Sequence, residues 1–216
     1  MKKLITEKDI LELEKKGIKV VIKNEDTVFT PLALDRIRSS KFTFLEKEIT
    51  QYENPTSSGS DDPTIGNKII IGSDHTGFRM KNILIKYLIE KGFNLSDAGT
   101  FDEKSCDYPD FAKIVATGVA KDNYNRGIII DATGIPSAIT ANKFKGIRAA
   151  TCYNCFSARS SRAHNNSNVL VIGARALGEE TIKLIVDEWL STKFEGGRHQ
   201  KRLDKISDIE NENIDH

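Results

Sequence analysis

From residue 68 onward, short apolar runs alternate with helix-length amphipathic segments. Strands are predicted over 68–72, 93–97, 126–131, 147–152 and 168–172. Helices are predicted over 77–91, 109–121, 135–144, 155–164, 178–191 and 199–210. Runs such as Ile128, Ile129 and Ile130 suit strands buried on both faces. Strands that alternate with helices fold as a parallel sheet covered on both sides. We therefore expect an α/β, Rossmann-like parallel sheet of about five strands with helices on both faces. Ligands of such sheets lie beyond the carboxyl ends of the strands. Chemistry-bearing residues are expected in the loops after strands one, three, four and five. These hold Asp74 and His75; Asp131 to Gly134; the segment from Ser161 to Asn166; and Gly173 with Arg175.

The loop after the third strand is the most informative. The apolar run stops at Asp131 and gives way to Ala132, Thr133 and Gly134 before a helix begins. A small-residue turn feeding a helix N-terminus aims backbone N–H groups at one point, a ready site for an anion. Near the C-terminus, Arg198 and Arg202 stand four apart, on one helix face. Guanidinium forks suit a phosphate dianion. His199 reads as a surface residue on another side of that helix, and Trp189 as core.

The first 53 residues read as a small α+β accessory module. Thr6 and Asp9 have capping-box spacing, and Thr30-Pro31 starts a second helix. Residues 54–67, rich in Ser, Asp, Pro and Gly, read as a linker to a main domain over 68–216. A net charge of +1 argues for neither nucleic acid nor a membrane surface as partner. No apolar run is long enough to span a bilayer, and the N-terminus does not read as a secretory signal. Three cysteines without framework spacing suit a reducing cytosol. Cys152 and Cys155 form a C-x-x-C, but no second pair accompanies it. We read it as a strand end followed by a helix start.

The motifs of the main domain, in order, are Gly-Ser-Asp-His-Thr-Gly-Phe (72–78), Asp-Tyr-Pro-Asp-Phe-Ala (107–112), Ala-Asn-Lys-Phe-Lys-Gly-Ile-Arg-Ala-Ala (141–150), Ser-Ala-Arg (157–159), Arg-Ala-His-Asn (162–165), Asn-Val-Leu-Val-Ile-Gly-Ala-Arg (168–175) and Phe-Glu-Gly-Gly-Arg-His-Gln-Lys-Arg (194–202). With them, residues 68–210 resemble the ribose-5-phosphate isomerase B and galactose-6-phosphate isomerase family. The resemblance implies a cytoplasmic aldose–ketose isomerase of a phosphorylated sugar, most readily ribose 5-phosphate. It implies no metal and no cofactor. It implies a homodimer or homotetramer whose active site is shared across subunits. It also implies roles: Asp74 at the ring-oxygen side of the sugar, His75 near the phosphate, and Tyr108 lining the pocket. Ala132, Thr133 and Gly134 would hold the enediolate. His164 of a neighbouring subunit would open the ring, and Asn165 would touch a substrate oxygen. Arg175, Arg198 and Arg202 would bind phosphate.

The sequence departs from the family at the centre. Its members usually read Cys-Gly-Thr-Gly-x-Gly, the cysteine moving the proton between C1 and C2. Here Asp131 holds that position, Ala132 follows, and Pro136 replaces the final glycine. A second branch carries a glutamate one residue later, where this chain has Ser137. Asp131 is thus either a replacement base or the remnant of a lost one. The alternative is a non-catalytic sugar-phosphate-binding or scaffold paralogue, paired with a cysteine-bearing subunit. Ile5-Thr-Glu-Lys-Asp9 and Val28-Phe-Thr-Pro-Leu-Ala33 are similar to segments of proteins of bacterial microcompartments. That likeness implies a microcompartment partner for residues 1–53, and a location inside such a compartment.

Overall fold

The computed structural model describes residues 3–15, 20–22, 27–40, 42–45, 50–52 and 68–212. The stretch expected to be a linker, 54–67, lies outside them. The chain forms two compact units, Met1–Thr50 and Gln51–His216.

In the first unit the order is β1 (Lys3–Ile5), α1 (Glu7–Lys15), β2 (Val20–Ile22), β3 (Thr27–Phe29), α2 (Pro31–Ser39) and β4 (Thr43–Leu45). β1 pairs with β3 and β2 with β4, both in parallel. The helix starts follow local chemistry. Asp9 Oδ2 accepts from both Thr6 N and Thr6 Oγ1 at 2.7 Å, and Thr30 Oγ1 accepts from Ala33 N at 3.2 Å. The core is small: Ile10, Val21, Ala33, Ile37 and Phe42.

The second unit holds the alternating strands and helices. It runs β5 (Thr50–Tyr52), β6 (Lys68–Ser73), α3 (Phe78–Glu90), β7 (Asn94–Asp97), α4 (Tyr108–Ala120), β8 (Arg126–Asp131), α5 (Ile135–Ala141), β9 (Ala149–Thr151), α6 (Cys155–Ala163), β10 (Val169–Gly173), α7 (Glu179–Ser191) and α8 (Arg198–Glu212). The sheet order is β5-β7-β6-β8-β10-β9. The five strands from β6 to β10 pair in parallel. β5 adds a sixth strand at the edge, within the stretch expected to belong to the accessory module.

Side chains alternate across this sheet. Ile69, Ile71, Ile128, Ile130, Leu170 and Ile172 bury against α3, α6 and α7. Ile70, Ile129, Val169 and Val171 are buried too and face the other way, toward the side where α4 and α5 pack. Gly127 allows the close approach of α4: a Cβ there would sit 2.7 Å from Val115 Cγ1. The lone tryptophan, Trp189, is buried in α7. Its indole N–H donates to Ser167 Oγ at 2.7 Å, and the Arg126 and Arg162 guanidinium groups each lie 5.8 Å from its ring. Burial, with Arg126 and Arg148 nearby, lowers the Arg162 pKa to about 10.

Candidate active site

Three neighbouring strands bring their carboxyl ends together. Ser73 of β6 pairs with Ile130 of β8, and Gly173 of β10 pairs with Asp131. Asp74 therefore lies beside Asp131, with Asp74 N donating to Ile130 O at 3.2 Å. On the far side Arg175 N donates to Ala132 O at 3.0 Å.

Asp131 is 1% exposed. Its Oδ1 accepts from Thr133 N at 2.8 Å and from Gly134 N, and its Oδ2 accepts from Ser137 N at 3.1 Å. The amides expected to cradle an enediolate are thus engaged by the chain's own carboxylate. A carboxylate oxygen has two lone pairs, so Oδ2 keeps one beyond its bond to Ser137. Pro136 carries no N–H, and the donor one residue on completes the set. Gly134 turns the chain at φ +82, and a Cβ there would meet Thr151 Cγ2 at 2.8 Å. Thr151 Oγ1 donates to Gly134 O at 2.8 Å, and Tyr153 OH to Thr133 O at 2.9 Å, so the turn is held from β9 as well. The Thr133 side chain accepts from Ile135 N at 3.2 Å, at an exposed position.

Asp74 does the same at the start of α3. Its Oδ1 accepts from Thr76 N, Thr76 Oγ1 and Gly77 N at 2.8, 2.6 and 3.1 Å. The buried hydroxyls of Ser73 and Ser137 meet no protein partner. His75 Nδ1 lies 3.2 Å from Cys106 O and 3.9 Å from Cys106 Sγ. Burial pushes the Cys106 thiol up, which keeps it a protonated thiol at neutral pH. Tyr108 opens α4 at the same edge of the sheet, half-buried.

His164 and Asn165 do not join this group. They follow α6 and lead into β10, so they lie at the amino edge of the sheet, not the carboxyl edge expected for the 161–166 segment. The five residues of β10 stand between the two edges, about 16 Å of strand. Arg198 and Arg202 also sit at the amino edge. Glu195 N donates to Ala163 O at 3.0 Å, and Glu210 near the end of α8 accepts from Gly146 N at 2.9 Å. Both arginines are exposed. A cavity of about 800 Å³ lies under α8, lined among others by Asn165, Arg148, Lys143, Leu203 and Ile206. The resemblance assigns the described site residues to one pocket. Within a single chain they fall into two groups at opposite edges of the sheet.

Several residues here were not anticipated. His199 reads as surface in the sequence but is 5% exposed, stacked on His164 with ring centroids 4.3 Å apart. Burial, then the neighbouring His164 and Arg198, hold its pKa below the usual imidazole range. The Glu195–His199 spacing of four was the signal. Lys81 of α3 is 0% exposed and paired with the buried Asp97 at the end of β7. Its Nζ lies 5.7 and 5.4 Å from the Phe78 and Phe101 rings. Burial pulls the lysine pKa down while Asp97 opposes it. Asp97 Oδ1 also accepts from Gly99 N at 2.9 Å.

Residues 69–206 match the family described as Ribose/Galactose Isomerase. The ribose-5-phosphate isomerase B of Escherichia coli is 46% identical over 143 residues, covering 66% of this chain and 96% of that protein. A putative sugar phosphate isomerase of Bacillus subtilis is 43% identical, over 68% of this chain and 99% of its own length. Among solved structures, ribose-5-phosphate isomerase B of Clostridium thermocellum has a TM-score of 0.67 at 46% identity, covering 67% of this chain and 98% of that one. The enzyme of Mycoplasma genitalium with bound ribulose-5-phosphate has a TM-score of 0.65 at 42% identity, covering 67% and 97%.

Proposed function

We propose, for a chain that belongs to the ribose/galactose isomerase family, that it interconverts ribose 5-phosphate and ribulose 5-phosphate in a site assembled from two copies. Its relatives support a sugar phosphate isomerase. Asp131 Oδ2 takes the proton from C2 of the open-chain aldose and returns it to C1 of the enediolate. Asp74 and His75 hold the sugar, with Tyr108 lining the pocket. The Thr133 hydroxyl faces the reacting oxygens, while the Thr133 and Gly134 amides hold Asp131 in place. Arg175 of the same copy, with Arg198 and Arg202 of a second, grips the phosphate. His164 and Asn165 of that second copy open the ring and contact it. The observation that carries this reading is the meeting of Asp74, Asp131 and Arg175 on three adjacent strand ends. It leaves the ring-opening histidine a strand length away in the same chain.

The test is turnover of ribose 5-phosphate by wild type, Asp131→Asn and Asp131→Cys. Asparagine cannot take the proton, and turnover should fall at least about a hundredfold, the low end of what a positioned base contributes. Cysteine, the family's own base, should retain turnover well above asparagine. The asparagine amide would also turn an NH₂ group toward one of the three backbone donors. Melting curves of both variants therefore separate lost chemistry from lost fold. Wild-type turnover in Asp131→Asn removes Asp131 as the base. A pure wild type that binds ribose 5-phosphate but never turns it over leaves the binding paralogue as the function.

A further inference from the structure

The amino edge gathers His164 with Glu195 and His199, two residues to which the proposed reaction gives no role. His164 closes α6 and His199 lies in the first turn of α8; their rings are 8° from parallel. Glu195 Oε2 stands 3.7 Å from His164 Nε2 and 3.6 Å from His199 Nε2. One ligand atom from each residue lies within 4.8 Å of the other two. A tetrahedral zinc ion, with ligands at about 2.0–2.1 Å, sets them about 3.3 Å apart. The nitrogen–oxygen separations need to close only by tenths of an ångström, and at least one of the two stacked rings has to turn out of its parallel plane so that both Nε2 lone pairs meet one ion.

The local sequence builds this arrangement. Gly196 and Gly197 both take left-handed conformations, with φ +65 and +54. Two such residues in succession turn the chain back, so Glu195 faces the helix that starts behind it. The Glu195 N–H bond to Ala163 O ties it to the residue before His164. Ser160 Oγ lies 3.2 Å from His164 Nδ1. Accepting that N–H would leave the lone pair on Nε2, the nitrogen beside Glu195, as in metal-ligating histidines. The side chains of His164 and Glu195 are 42% and 58% exposed, so an ion can reach them and keep a water ligand. Arg198 Nε reaches His199 Nε2 at 3.4 Å. An entering cation has to displace that contact, which makes the site reversible instead of structural.

We propose that His164, His199 and Glu195 bind one zinc-class dication per chain, and that this ion inhibits the isomerase. Two imidazoles and a carboxylate form a donor set that suits zinc. The inhibitory part rests on the ring-opening role of His164, whose free Nε2 the metal would occupy.

Calorimetry with zinc chloride on the full-length chain, its accessible thiols first blocked with iodoacetamide, reads the site without any assay of activity. One ion per chain is expected. Cobalt(II) should give the visible bands of a four-coordinate nitrogen–oxygen site with no thiolate charge-transfer band. Glu195→Gln and, separately, His199→Asn should each weaken zinc at least about tenfold, the smallest loss expected on disturbing a metal site. Absence of saturable binding, or unchanged affinity in both variants, overturns the site. Turnover of ribose 5-phosphate should fall over the same zinc range that calorimetry gives, and Glu195→Gln should shift that range upward. Binding with undiminished turnover overturns the inhibitory role. A chain that binds zinc through these residues but lacks all isomerase activity retains the metal site and refutes only the enzymatic reading.

Discussion

At the carboxyl end of β8 a carboxylate is wrapped by three backbone amides of its own turn, and a second one is wrapped at the start of α3. At the amino end of β10 the matching charged groups, Arg198 and Arg202, stand exposed on α8, and His164 is half open to water. Both ends carry residues that the family resemblance assigns to one pocket. The first is preorganised, which suits groups that must hold a reacting carbon within tenths of an ångström. The second is open to solvent, which under the proposed function suits long side chains that settle around a phosphate on arrival. Set side by side, the two ends stand about a strand length apart in one chain, which is why the proposed function draws them from two copies.

The sharpest way to break that contrast is to divide the two ends between copies. Asp131→Asn and His164→Asn chains should each be inactive alone. Co-expressed, random pairing gives half the dimers one intact site, so about a quarter of wild-type turnover should return. A mixture that stays inactive places both ends in one chain and refutes the shared site. Next in size is Lys81→Met beneath the carboxyl edge. It leaves Asp97 buried without its partner, and chemical denaturation should show a loss of about 3–5 kcal/mol. A loss under about 1 kcal/mol would mean that the edge does not depend on the pair. At the amino edge, Arg198→Ala and Arg202→Ala should each weaken ribose 5-phosphate by about 1.5–3 kcal/mol in calorimetry. Their melting temperatures should stay near wild type, because both side chains are exposed. Smallest is Thr151→Val, which removes the hydroxyl that donates to Gly134 O. It should cost about 0.5–1.5 kcal/mol of stability, measurable by denaturation and unaccompanied by a change in phosphate affinity.

The order of the main domain was legible because its periods are long. The Ile128–Ile130 run and the amphipathic 77–91 segment became β8 and α3 with ends shifted by a residue at most. The three-residue strands β1, β3 and β5 are too short to show a period and were not expected. The Lys81–Asp97 pair could not be anticipated, because nothing local to the lysine announces an aspartate sixteen positions later. The burial of His199 depends on a double-glycine turn folding Glu195 back across the helix start, a tertiary event. The placement of 161–166 failed for a topological reason. A loop after a helix re-enters the sheet at the amino edge, and spacing alone counts that loop with the strand before it. Asp131 was visible as a departure, yet its three amide bonds were not, since the same turn would serve an outside anion equally well.

The pairing of Trp189 with Ser167 turns the molecule into its own optical gauge. With one indole in the whole chain, every photon of tryptophan emission comes from a single place. The group that holds that indole by its N–H is three residues past His164. A displacement of the 164–167 segment, by a docking neighbour or a captured ion, would alter the hydrogen bond and the two guanidinium charges that set the emission colour. Stopped-flow fluorescence of the unlabelled protein can therefore time events at the amino edge while remaining blind to proton transfer at the other.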